Sequence, residues 1–384
     1  PNVHFKYTDL SEMFPGYEYN RFAKKSEAST YLGEFVGEGG AVRTEPGIWF
    51  DVALLDIASM HPTSAIELDY FGIYTQILAD LKQARIYIKH EDYDKAKEMF
   101  DGKFKRYLGD KADAKGLSNA LKLVINSIYG LTSASFYNKF SQKLNVDNIV
   151  AKRGALFMLT LKEEIEKRGY TVAHIKTDSV KIPNADQKII DFVHEFGKQY
   201  GYDFEHEKTY RRLVLLNKAV YAGEYWKENK DNMALSKWAW EFTGGPMLEP
   251  YVQKKLFTHN EMDDKEFRQI KEVSTGKDGT PVAIYLGDKR VGRFAGVYPS
   301  LTGEDMWRVT EPKDPNVESK RGHVNGTKGY GWKLWSDYKG KEDIDMQYFI
   351  DLAEDMKKQI ARVGDPELIL GDWDTLVKEG KVAS

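Results

Sequence analysis

Cysteine is absent from the 384-residue chain. That excludes disulfides and thiolate metal sites, and points to an intracellular, reducing setting. Long apolar runs are missing too. Nothing approaches the length needed to cross a bilayer, and the first residues do not read as a signal peptide, so no membrane partner is expected. The chain begins at Pro1 rather than Met, which reads as a processed or excised piece of something longer. Net charge is nearly absent, since 56 basic and 59 acidic residues leave −3. At face value this argues against nucleic acid, but local clustering of Lys and Arg decides that question. Internal repeats and low-complexity tracts are lacking as well.

What is present is an apolar fraction of 41%, enough for one large or several small cores. Aromatic content is 13%, with 23 tyrosines whose rings can both stack and hydrogen-bond. The organising stretch is Ala173-His174-Ile175-Lys176-Thr177-Asp178-Ser179-Val180-Lys181-Ile182. Two short apolar arms flank a polar tip, which is a hairpin signal. Asp178 at the tip would be held by rigid strands, where a metal ligand gains most from preorganisation. Alone, such an Asp is more often an ordinary turn residue.

Upstream, Glu34-Phe35-Val36-Gly37-Glu38-Gly39-Gly40-Ala41-Val42 brings three glycines into one short loop, where backbone can approach a partner closely. Residues 48–57 read as a buried strand with Asp56 at its polar end, and Pro62 lets a helix begin. From 65 to 100 the apolar residues Ile66, Tyr70, Ile73, Ile77 and Leu81 recur at helical spacing, with Lys82, Arg85 and Lys89 on the other face. A second helix is expected over 115–128, with Gly130 as its stop. On it Lys122, Asn126 and Tyr129 share one side. Further helices are expected at 151–168, 185–200, 245–258 and 345–362. Strands are expected at 170–176 and 212–224, with strand-like alternation over 282–297. This is an α+β plan around an antiparallel sheet. The segment 320–333 is basic, glycine-rich and aromatic, with Lys328 and Tyr330 placed to track a phosphate backbone.

Three strings then line up in order. Asp56-Ile57-Ala58-Ser59-Met60-His61-Pro62-Thr63 resembles the first palm motif of family B DNA polymerases, Asp-x-x-Ser-Leu-Tyr-Pro-Ser. Lys122-Leu123-Val124-Ile125-Asn126-Ser127-Ile128-Tyr129-Gly130 is similar to that family's fingers motif, Lys-x-x-x-Asn-Ser-x-Tyr-Gly, at every fixed position. Lys176-Thr177-Asp178-Ser179 resembles its third motif, Asp-Thr-Asp-Ser. Lys218-Ala219-Val220-Tyr221 looks like the family's Lys-x-Tyr element, Arg85 and Lys89 like its basic pair, and Gly39-Gly40 like its glycine motif. The likeness runs motif by motif over about 35–225, closest in style to bacteriophage members.

The resemblance implies a right-hand polymerase fold with an antiparallel-sheet palm, two-helix fingers and a C-terminal thumb. It divides the chain into an N-terminal segment (1–50), palm (51–64), fingers (65–130), palm again (131–230), and thumb with the C-terminal region (231–384). The implied activity is template-directed addition of dNTPs to a primer on DNA, with two Mg²⁺ ions and Mn²⁺ as the substitute. Asp56, Asp178 and the Ile57 carbonyl would hold the ions. Arg85, Lys89 and Lys122 would clamp the triphosphate. Ile57, Ala58, Ser59, Met60 and His61, with Asn126 and Tyr129, would line the incoming nucleotide. Gly39, Gly40, Lys176, Thr177, Lys218 and Tyr221 would face DNA.

The chain departs from the pattern twice. Lys176 stands where the third motif usually carries its first Asp, and is expected to trim negative charge or meet primer phosphate. His61 replaces the Tyr whose ring blocks a ribose 2′-hydroxyl, so altered sugar discrimination is expected. The roughly fifty residues before the first motif are too few for an exonuclease domain. No proofreading is therefore expected in this chain, and a separate exonuclease or processivity factor is a candidate partner. The implied location is the cytoplasm, that of the host for a bacteriophage protein. The alternatives are a polymerase-like DNA-binding module impaired in catalysis, and a primase-polymerase.

Overall fold

A computed structural model describes residues 5–140 and 147–384. The chain is α+β and divides into two compact units. The first takes in Pro1–Glu45, Trp49–Arg212 and Glu228–Ser236; the second takes in Pro46–Ile48, Leu213–Lys227 and Lys237–Ser384. Each has its own apolar core.

In the first unit the elements that matter are β1 (Val42–Thr44), β2 (Gly47–Ile57), α1 (Met60–Glu67), α2 (Thr75–Lys89), α3 (Lys111–Thr132), α4 (Ile149–Lys167), β3 (His174–Lys176), β4 (Ser179–Ile182), α5 (Gln187–Gln199) and β5 (Phe204–Leu215). The strands lie in the order β5-β2-β4-β3-β1. The pairs β2–β4, β4–β3 and β3–β1 are antiparallel. β2 is an almost continuous apolar run, Val52-Ala53-Leu54-Leu55, and all four residues are buried, as a strand covered on both faces requires.

α4 is buried nearly all round, from Ile149 to Leu159. It even carries two buried cations, Lys152 and Arg153. Lys152 donates to the carbonyls of Gly37 (2.8 Å) and Val36 (3.4 Å). Arg153 donates to the Tyr200 carbonyl at 2.9 Å and lies over the Tyr202 ring. α3 opens on a side-chain cap from Asp110 to the Asp113 amide. It buries Ala114, Ser118, Leu121 and Ile125 at spacings of four and three. That stripe leaves Lys122 and Asn126 exposed.

Several expectations need correction. The single helix over 65–100 is broken into α1, α2 and a short helix at Tyr93–Glu98. The break lies between Leu68 and Tyr74, where Asp69 and Gly72 take left-handed backbone (φ 48° and 57°) that a helix cannot continue. Ile73 falls in that break and is 86% exposed, and Ile77 is half exposed, so neither supports the core as the periodicity suggested. Gly130 does not end α3, which runs on to Thr132. The expected strand at 170–176 contracts to β3. The strand at 212–224 is two strands. β5 ends at Leu215, and the chain turns through Asn217, whose side chain accepts from the Ala219 and Val220 amides, before β6 (Tyr221–Lys227).

In the second unit β6 pairs antiparallel with β7 (Lys237–Thr243). A three-stranded and a four-stranded sheet follow, taking up the 282–297 alternation. The 245–258 segment is a chain of short helical turns rather than one helix. α6 (Met346–Ala361) buries Tyr348, Phe349, Ala353, Met356 and Ile360 on one stripe. No helix among the described residues is long and apolar enough to cross a membrane.

Candidate active site

β2 and β4 run side by side, with Asp56 opposite Ser179. The Ile57 amide donates to the Asp178 carbonyl at 2.8 Å. Asp56 and Asp178 therefore stand at neighbouring strand ends. The turn between β3 and β4 bends at Thr177, whose φ is +56°. The Thr177 amide donates to the Ala41 carbonyl at 2.9 Å. A Cβ placed on Gly40 would lie 2.6 Å from Thr177 Cγ2 and 2.8 Å from its Cα. Glycine is thus required where the loop presses on the hairpin tip. Lys176 is exposed beside it.

The electrostatics follow from this juxtaposition. Burial pushes the Asp56 carboxyl up to about 7. The Asp178 charge adds to the rise, Glu207 and Glu205 add further, and Lys181 opposes it. Burial also raises Asp178, while His61 opposes that rise. His61 itself is lowered by burial, against the pull of Asp178. These are two partly desolvated carboxylates held close enough to repel, and a cation between them would relieve both.

α1 starts at the strand end. Ala58 donates to the Asp203 carbonyl at 2.9 Å. Ser59 turns the chain in left-handed backbone (φ 55°) without capping the helix, and Met60 is buried. His61 stacks on Tyr129 of α3, with centroids 4.3 Å apart and planes 16° from parallel. Its Nδ1 is buried with no hydrogen-bond partner among the described residues. The resemblance thus names two ring positions from different motifs, and the fold stacks them.

The basic residues are less uniform. Arg85 on α2 keeps its Nε buried and unpartnered among the described residues. Lys89 instead pairs with Glu205 at 3.2 Å on the surface. Lys122 and Asn126 lie on the exposed side of the helix that carries Tyr129. In the second unit Lys218 is exposed in its turn. Tyr221 opens β6 at only 7% exposure. Lys328 is exposed, and the Tyr330 hydroxyl donates to the Asp351 carboxylate.

Sequence reasoning missed Glu205 and Glu207. They alternate along β5, next to β2 in the sheet, and their charge reaches Asp56. The only available signal was acid at i and i+2 after Phe204. No group of three or more His, Cys, Asp or Glu is placed to hold a metal among the described residues. Two carboxylates with a backbone carbonyl still fit Mg²⁺, which characteristically takes one or two carboxylates and fills its shell from water and substrate phosphate.

No family model and no curated protein matches the chain. Among solved structures it is similar to the family B DNA polymerase from the hyperthermophilic archaeon Pyrobaculum calidifontis, with a TM-score of 0.44 and 14% identity. The match covers 87% of this chain and 47% of that one, so the chain spans about half the length of that polymerase.

Proposed function

We propose that the chain is a template-directed DNA polymerase that extends a primer 3′ end with deoxynucleotides by phosphoryl transfer. The observation that carries this reading is the meeting of Asp56 and Asp178, from separate motifs, at neighbouring strand ends with raised pKa values and repelling charges. Such perturbed carboxylates mark functional sites. Asp56, Asp178 and the Ile57 carbonyl would hold two divalent ions. When bound, these ions supply charge neutralisation and lower the pKa of the attacking hydroxyl.

The rest is the work of this chain's own side chains, because phosphoryl transfer asks mainly for alignment and charge stabilisation. Arg85 on α2 would offer its guanidinium to the triphosphate. Lys122 offers a compact cation on α3. Lys89 can exchange Glu205 for phosphate at little cost, because an exposed ion pair contributes only about 0–1 kcal/mol. The His61–Tyr129 stack forms the surface against which the nucleotide's sugar and base are judged. Lys176 would meet primer phosphate at the hairpin tip, and Lys218 and Tyr221 the primer strand.

Primer extension on a DNA template with Mg²⁺ tests the reading. Incorporation that requires template, primer and Mg²⁺ supports it. No incorporation with either Mg²⁺ or Mn²⁺ rejects it. Synthesis begun without a primer would move the protein to the primase-polymerases.

The sugar gate gives a separate prediction. An imidazole is smaller than a phenol, so His61 leaves room for a 2′-hydroxyl. His61→Tyr is expected to raise the preference for dNTP over rNTP about tenfold, the usual scale for excluding a small group. An unchanged ratio in competing single-nucleotide incorporation would remove ring 61 from sugar selection.

A further inference from the structure

Asn148 stands at the start of α4 in left-handed backbone (φ 53°, ψ 56°), and its side chain makes no cap bond to its own helix. Its amide nitrogen points elsewhere. It donates to the Glu38 carbonyl at 3.2 Å and to the Tyr129 hydroxyl at 3.5 Å. One turn later Lys152 donates to the carbonyls of Gly37 and Val36. The first turn of α4 therefore holds three consecutive carbonyls of the glycine loop.

At its other end the same loop is fixed to the Asp178 hairpin. The Ala41 carbonyl takes the Thr177 amide, and Gly40 sits against Thr177. Tyr129, the second partner of Asn148, stacks on His61, and His61 feels the Asp178 charge. A chain of contacts runs from the hairpin tip through the glycine loop, Asn148 and Tyr129 to His61.

The residue type suits both demands. Asn is among the few side chains that tolerate left-handed backbone, and its amide offers two N–H groups. Those two N–H groups can serve a loop carbonyl and a phenol oxygen at once. Burial raises the Tyr129 pKa while the Asn148 bond lowers it, as expected for a donor to the phenol oxygen.

We propose that Asn148 is a positioning residue: its amide tethers Tyr129 to the glycine loop, and so fixes the His61–Tyr129 stack at the setting that selects the incoming nucleotide. This rests on the polymerase reading, because the stack selects a nucleotide only if one binds there. The tether itself is independent of that reading.

Asn148→Gly is the decisive variant. Glycine keeps the left-handed backbone without strain and removes only the amide. In steady-state single-nucleotide incorporation the KM for dNTP is expected to rise about fivefold, the scale of one hydrogen bond, with kcat within about twofold of wild type. The dNTP-over-rNTP preference should fall with it. Tyr129→Phe should raise the KM for dNTP and lower the sugar preference likewise, and the double variant should add nothing through the tether, because either change alone cuts the bond between Asn148 and Tyr129. Wild-type KM and sugar preference in Asn148→Gly, or additive losses in the double variant, would overturn the proposal.

A readout without turnover separates the two ideas. With 3-fluorotyrosine incorporated and the residue 129 signal assigned by Tyr129→Phe, its ¹⁹F resonance should be narrow in wild type and broadened or split in Asn148→Gly. An unchanged resonance would overturn the tether. If wild type incorporates no nucleotide, the polymerase reading fails alone and this spectrum still decides for or against the tether.

Discussion

Asp178→Ala is expected to cut primer extension by about 10³-fold or more while leaving the fold intact. The loss follows from charge. Divalent ions contribute several kcal/mol to a phosphoryl-transfer transition state, and each 1.36 kcal/mol is a factor of ten. Removing one of two carboxylates leaves too few hard ligands to hold them. The fold should survive because Asp178 serves the sheet through its backbone carbonyl, which accepts from Ile57 and which alanine retains. The side chain is desolvated, so its loss costs no stability. Asp56→Ala should behave likewise. Glu207→Ala, which touches Asp56 only through its field, should lose less than about tenfold. Single-turnover extension measures all three, and Asp178→Ala retaining more than about a tenth of wild-type activity would remove that carboxylate from the chemistry.

The second large effect is on stability in the absence of divalent ions. Asp56 has its folded pKa raised to about 7, against about 3.9 in the unfolded chain. The folded state therefore binds the proton more tightly. Its stabilising effect is complete below about pH 4 and is lost as pH rises through about 7. Asp56 is only half-buried, so solvent screening limits the loss to about 1–2 kcal/mol. In chelator, wild type should melt several degrees lower at pH 8 than at pH 5.5, whereas Asp56→Asn should lose much less over that range. Mg²⁺ at about a hundredfold over its dissociation constant should then stabilise wild type at pH 8 by about 2.7 kcal/mol, and Asp56→Asn far less. Equal pH responses of the two proteins in a chelated thermal melt would show that the Asp56 carboxyl is not raised by its surroundings.

Some of this was legible in the sequence because the relevant signals are local. The arms on either side of Lys176-Thr177-Asp178 alternate as strand pairs do, and β3 and β4 lie there. The apolar run before Asp56 is β2, and α3 forms where a second helix was expected. The failures are tertiary. Periodicity carried Ile73 and Ile77 into an unbroken helix, but Asp69 and Gly72 turn left-handed there, a choice the surrounding packing makes rather than composition. Gly130 looked like a stop, yet helices accept a glycine when their neighbours hold the turn. Glu205 and Glu207 lie outside the strand expected at 212–224, and only the pairing of β5 beside β2 brings their charge to Asp56. Nothing in the neighbourhood of Asn148 marks it out, since both acceptors of its amide are remote in sequence.

The contact between Gly40 and Thr177 has a consequence for how this protein can vary. Gly39 looks into open space, while a methyl group on Gly40 meets main-chain and side-chain atoms of Thr177. Two identical neighbours thus carry opposite tolerances: the first can drift toward alanine or serine freely, and the second is pinned. A compensating change would have to move the Thr177 turn, and with it Asp178, so the route to a bulkier loop is closed by the acid it adjoins.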